Sequence, residues 1–98
     1  MLIVIANLEA KEGAREKVVE IARDCIEATR REAGCISYEL FASTEDGRSL
    51  VFVERWVDKA ALDAHQRSEH IGVFKAARAP YVEGPSRVTL FEAAPVEL

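Results

Sequence analysis

The sequence is poor in glycine and proline, with 5 and 3 among its 98 residues. That leaves no glycine-rich loop to cradle phosphates, no dinucleotide fingerprint and no nucleophile elbow. Redox chemistry in this chain would have to proceed without a standard nucleotide site. The only cysteines are Cys25 and Cys35, which suit reduced packing positions better than a disulfide framework. Positive charge is not in excess. The 13 Lys and Arg against 17 Asp and Glu leave a net charge of -4, so there is no basic stripe for nucleic acid and no polybasic patch for a membrane. No apolar run approaches the ~20 residues of a transmembrane span. The opening "MLIVIANLEAKEG" has no basic segment and no small-residue cleavage site, so we expect a cytoplasmic protein without a signal peptide.

What is present is an ordinary globular balance, 49% hydrophobic and 31% charged, and residues 1–98 are expected to form one domain. A chain this short buries only about 60–70% of its unfolded surface and gains much from a partner. Leu2 to Leu8 is aliphatic and of strand length. From about Ala14 to Arg31, Val18, Ala22, Cys25 and Thr29 recur on one helical stripe, widened by Val19 and Ile26. Gly34 stands where a helix C-cap glycine would. Cys35 to Phe41 and Ser49 to Trp56 read as strands around an Asp46-Gly47 hairpin turn. Asp58 and Ser68 are placed to cap short helices over Lys59 to Gln66 and Glu69 to Arg78. Pro80 stops the second, and Arg87 to Glu92 is a fourth strand.

The order β-α-β-β-α-β predicts an α+β, ferredoxin-like fold with an antiparallel sheet. Right-handed crossovers put both helical segments on one face of that sheet. Yet Leu2 to Ile5 and Leu50 to Val53 are apolar on both faces, as in strands covered on both sides. A homodimer through the bare sheet faces is the economical way to cover the second one.

The candidate site residues cluster in "FVERWVDKAALDAHQRSEHIGVF". Glu54 interrupts an apolar strand. It reads either as an ion-pair partner of Arg55 or Arg87, or as a carboxyl in an apolar cavity, tuned for proton transfer near neutral pH. Trp56 reads as a packing anchor or as a pocket wall. His65 and His70 lie roughly 140° apart on an ideal helix, so they are not the paired histidines of zinc hydrolases, and no third ligand has a convincing spacing. No metal site is expected. Each histidine reads as a bond across a helix junction or as a general acid–base. Asn7, at the end of the first strand, could bond to a neighbouring strand or stabilise a developing oxyanion.

Four stretches carry a resemblance over nearly the whole length: "IVIANLEAKEG", "EAGCISYELF", "FVERWVDKAALDAHQRSEHI" and "GPSRVTLFE". Together they resemble the antibiotic biosynthesis monooxygenase domain family. The resemblance implies a dimeric α/β barrel of ferredoxin-like subunits, each with a pocket between sheet and helices. It also implies oxidation of quinols or polyphenols by molecular oxygen without a cofactor. On that reading Glu54 and His65 handle protons, Asn7 and His70 orient the substrate, and Phe41, Phe52 and Trp56 shape the pocket. A second group, which isomerises or degrades a phosphorylated autoinducer-2 product, is similar through Phe41, Glu54, His65 and His70. Its substrate calls for cations at the pocket mouth, for which Arg55, Arg67 and Lys75 are available. A heme-degrading branch shares Asn7, but its tryptophan position holds His65 here and its iron-ligand position falls near Lys75, so heme is not expected. A dimeric ligand-binding module without catalysis is the remaining alternative.

Overall fold

Two helical crossovers and one hairpin dictate the architecture. The computed structural model describes residues 1–98. Along the chain come β1 (Leu2–Glu9), α1 (Arg15–Arg30), β2 (Cys35–Ala42), β3 (Ser49–Trp56), α2 (Lys59–Gln66), α3 (Glu69–Arg78) and β4 (Arg87–Glu92), with a 3-10 turn at Ala79–Tyr81. The strands pair antiparallel in the order β2-β3-β1-β4. This is the ferredoxin-like arrangement expected from the element order.

The helices cover one face of the sheet. Leu2, Val4, Ala6 and Leu8 of β1 and Leu50, Phe52, Glu54 and Trp56 of β3 are buried beneath them. They meet Val18, Ala22, Cys25 and Thr29 of α1, the stripe that the periodicity marks out. The opposite face carries Ile3, Ile5, Val51 and Val53, which are only half-buried in the single chain. Every residue of β4 is exposed, because the helix layer stops short of that edge.

The helix ends follow local chemistry. The Asp58 carboxylate accepts from the Ala61 amide at 2.9 Å, and the Ser68 hydroxyl accepts from the Ile71 amide at 3.4 Å. The same hydroxyl donates to the His65 carbonyl at 2.7 Å. This break after α2 redirects α3 and, with it, His70. The hairpin needs no left-handed residue at Gly47; its turn is held by the Asp46 carboxylate, which accepts from the Arg48 amide at 2.9 Å.

Gly34 has a different role from the one its position suggests. The C-cap of α1 is Arg31, at φ −90°. Gly34 lies beyond it at φ +83°, and a Cβ there would stand 2.6 Å from Ala61 Cβ and 2.8 Å from a Val57 methyl. Its lack of a side chain lets the start of β2 pass under α2. We expect Gly34→Ala to destabilise the fold by about 2–3 kcal/mol, combining left-handed strain with a backbone shift. Gly13, at φ +77° with open space around it, bears only the strain, so Gly13→Ala should cost about 1 kcal/mol. Chemical denaturation of both variants checks this; equal losses would contradict the close-approach account.

Candidate active site

The site is built on one cross-strand row. The register sets Tyr38 and Val4 on either side of Glu54, with Leu90 beyond Val4. All four side chains therefore stand on the helix-covered face. Trp56, two residues on, shares that face by the period of the strand. Its indole Nε1 donates to Glu54 Oε1 at 3.0 Å. Glu54 is 5% exposed and forms no ion pair. Arg55 is on the opposite face, bonded to the Ser37 hydroxyl at 2.8 Å, and Arg87 pairs with Asn7 on that same face. Burial drives the Glu54 pKa from an ordinary 4.5 up to about 7; the Trp56 bond opposes this and the Glu32 charge adds to it. A carboxyl in that range exchanges its proton near neutral pH.

His65 reaches the same cluster from α2. Its ring is 1% exposed, 4.9 Å from the Trp56 ring and edge-on to Tyr38 at 5.3 Å. Burial lowers its pKa although the bonded Glu32 pulls the other way, so the neutral imidazole is favoured. His65 Nδ1 lies 2.6 Å from Glu32 Oε2, and His70 Nε2 lies 3.0 Å from the same oxygen. A carboxylate beside Nδ1 holds the proton there and leaves Nε2 as the basic nitrogen, the orienting role such a group plays for a catalytic histidine. Tyr38 is pushed upward by burial first and by Glu54 second, and it remains a neutral hydroxyl.

Glu32 is the residue that spacing did not reveal. The helical angle between the two histidines does not apply, because Ser68 starts a new helix between them. The carboxylate that unites them lies 33 residues before His65, in the turn after α1. Glu32, His65 and His70 each present one ligand atom, all within 4.8 Å of one another. Against the expectation of no third ligand, the structure contains a donor set able to hold a small cation. One Glu32 oxygen already bonds a ring nitrogen of each histidine.

A cavity of about 60 Å³ opens beside Glu54 under α3. Tyr38, Phe52, Phe74, Lys75 and Arg78 line it, and Ser86, just before β4, and Val88 form its edge. A wider groove of about 490 Å³ runs between α1 and α3 and takes in His70 and Cys25. Phe74 lines both spaces. Glu54, Phe52, Trp56, His65 and His70 are therefore gathered around one cluster. Asn7 and Phe41 are not. They lie with Val51 and Arg87 in one row on the open face, on the far side of the sheet from Glu54. Among the cations weighed for a pocket mouth, Lys75 reaches the cavity, while Arg55 and Arg67 do not line it. Arg78 does line it, from a core position of α3.

The raised Glu54 pKa has a consequence for stability. The unfolded chain releases this proton near 4.5, and the native chain holds it to about 7. The stabilisation from the protonated form is therefore complete below pH 4.5 and lost as pH rises through about 7. Glu54→Gln keeps an acceptor for Trp56 and cannot ionise. It should exceed the parent in stability by on the order of 3 kcal/mol at pH ~8 and match it near pH 4.5. Denaturant titrations at the two pH values check this; a pH-independent difference would contradict it.

The geometry has counterparts among known proteins. A solved structure described as an antibiotic biosynthesis monooxygenase superposes with a TM-score of 0.88 at 36% identity, covering 97% of this chain and 100% of that one. The protein Rv0793 of Mycobacterium tuberculosis, which carries the name of a candidate monooxygenase, is 36% identical over 87 residues, 89% of this chain and 85% of its own. Its structure superposes with a TM-score of 0.84, covering 99% of this chain and 96% of that one. The Synechocystis protein sll1783 is 27% identical over 93 residues, 95% of this chain, and the chain spans 63% of its length. The family model described as antibiotic biosynthesis monooxygenase matches residues 1–77. By its sequence and its fold, this chain belongs to the antibiotic biosynthesis monooxygenase family.

Proposed function

We propose that the chain is a cofactor-independent monooxygenase that oxidises a quinol or polyphenol-type small molecule with molecular oxygen, acting in the cytoplasm as a single-domain homodimer. The observation that carries this reading is the buried, proton-exchanging carboxyl of Glu54 on the wall of an aromatic-lined cavity, with His65 packed against its neighbours Trp56 and Tyr38. A quinol gives up an O–H proton to the basic group, and the resulting anion is the electron donor to oxygen. The balance needs no further reductant: a quinol and O2 yield a hydroxyquinone and water. The protein's part is to take the proton, hold the ring and keep bulk water away. Glu32 and Trp56 act as positioning residues, the first on His65 and the second on Glu54.

A quinol ring needs more than about 60 Å³, since pockets for such ligands run from about 300 Å³ upward. Binding on this reading therefore opens the space under α3, where Lys75 at the rim is exposed and Phe74 separates the cavity from the larger groove. A second reading, an isomerase or degrading enzyme for a small phosphorylated metabolite, draws on the presence of Lys75 and Arg78 at the same cavity. It would be indifferent to oxygen. The dimer reading draws on the open sheet face, where Ile3, Ile5, Val51 and Val53 continue into Phe41 and Phe91, 47% and 50% exposed.

Oxygen uptake with a panel of quinols and polyphenols tests the reaction. Uptake above autoxidation should fall about a hundredfold or more in Glu54→Gln and in His65→Ala, and should survive chelation of metals. Loss on chelation, with recovery on adding a divalent ion, would move the reaction to the Glu32, His65 and His70 set. A flat response to every quinol would sink the oxygenase reading. For the dimer, Ile5→Glu places a charge on the open face and should give monomers in sedimentation; an unchanged monomer before and after the substitution would refute the pairing.

A further inference from the structure

Arg78 occupies a position where an arginine is hard to keep. It belongs to the buried stripe of α3 with Ile71 and Phe74, and it is 9% exposed. None of the chain's ion pairs includes it. Its one directional contact is with the Phe74 ring, whose centroid lies 4.8 Å from the guanidinium carbon. No side-chain nitrogen or oxygen is both sealed from solvent and unbonded, so the unbonded guanidinium must open onto a space. That space is the cavity beside Glu54, which Arg78 lines with Tyr38, Lys75 and Ser86. A buried cation without a partner is a standing cost to the fold. A methionine or leucine would fill the same stripe without that cost.

We propose that this cavity is an oxyanion site: the ligand binds with an ionised oxygen, of a phenolate, carboxylate or phosphate, against the guanidinium of Arg78, with Lys75 as the second cation. The proposal rests on the placement of the active site in this cavity and adds the charge of what enters it. The planar fork of arginine suits a group with two oxygens or one delocalised oxygen, and its place over the Phe74 ring holds it at the cavity. Glu54 shares the cavity, and as an anion it would oppose the ligand. Its raised pKa lets it take up a proton beside the ligand and then donate a hydrogen bond to it. The Tyr38 ring forms part of the floor. A space of about 60 Å³ is of the size of a compact anionic head group, with the rest of the ligand leaving past Lys75 and Ser86.

The test compares the parent with Arg78→Met and Arg78→Lys, using benzoate, inorganic phosphate and 4-nitrophenol as separate probes. Calorimetry reads binding, and the visible band of nitrophenolate reads the ionisation state of the bound phenol. At least one probe should bind the parent and bind Arg78→Met about ten- to a hundredfold more weakly, with Arg78→Lys between them. Free of ligand, Arg78→Met should melt higher than the parent, since it removes an unpaired buried charge. The identity of the tightest probe assigns the oxyanion to a phenol, a carboxylic acid or a phosphate. No binding of any probe, or binding that Arg78→Met leaves intact, would overturn the proposal. So would a lower melting temperature or loss of folding in both variants, which would mark the guanidinium as a structural group, for example one paired across a dimer. Quinol turnover is read separately, as oxygen uptake by the parent and by Arg78→Met. Anion binding without turnover of any quinol would therefore remove the oxygenase reading alone, and undiminished quinol turnover by Arg78→Met would remove this proposal alone.

Discussion

The structure depends on where it buries a carboxyl group. Glu54 stands in the central strand pair, on the face that the helices cover, with Val4 and Tyr38 as its cross-strand neighbours. A carboxylate there has lost its water and gained one donor, the Trp56 indole. Burial outweighs that bond, and the group keeps its proton to about pH 7. The surrounding residues read as responses to this placement. Trp56, fully buried itself, takes up one oxygen. Tyr38 and Phe52 pack at 5.2 Å between ring centroids and wall the space that the other oxygen faces.

A second charge arrangement controls the histidines, and it is assembled by topology rather than by local sequence. Glu32 comes from the turn after α1, His65 from the last turn of α2 and His70 from the first turn of α3. One carboxylate oxygen serves both rings. The Ser68 hydroxyl, bonded to the His65 carbonyl, sets the angle at which the two helices diverge and thus the approach of the rings. The charge of Glu32 also acts on both proton-exchanging groups, adding to the rise at Glu54 and opposing the lowering at His65.

Much of the fold was legible because its signals are local. Asp58 and Ser68 cap where their chemistry allows, and the stripe Val18, Ala22, Cys25, Thr29 has the helical period. The site was legible only where parity could be read. On β3, Glu54 and Trp56 alternate with Val53 and Arg55, so their common face follows from the strand period. On β1 both faces are apolar, so although Asn7 shares its face with Ile3 and Ile5 by the strand period, nothing local says which of the two faces the helices cover; packing in the fold decides it. Phe41 is separated from the cavity by the same parity, sharing its face with Glu39 and not with Tyr38. Glu32 carries no local mark, since its partners lie 33 and 38 residues away. Arg78 did carry one: a charged residue seven positions after Ile71 and four after Phe74 falls on the apolar stripe of α3, and a charge on such a stripe asks for a partner.

The central claim is that the chain keeps a protonated carboxyl at Glu54 near neutral pH. Infrared difference spectroscopy of the carboxylic C=O stretch across a pH titration, with Glu54→Gln as the reference, observes that proton directly. The account predicts a band that disappears with a midpoint of about 7 and is missing from the variant. A midpoint near the ordinary 4.5 would mean that Glu54 is ionised in the folded protein, and the proton-exchange account of the site would be wrong.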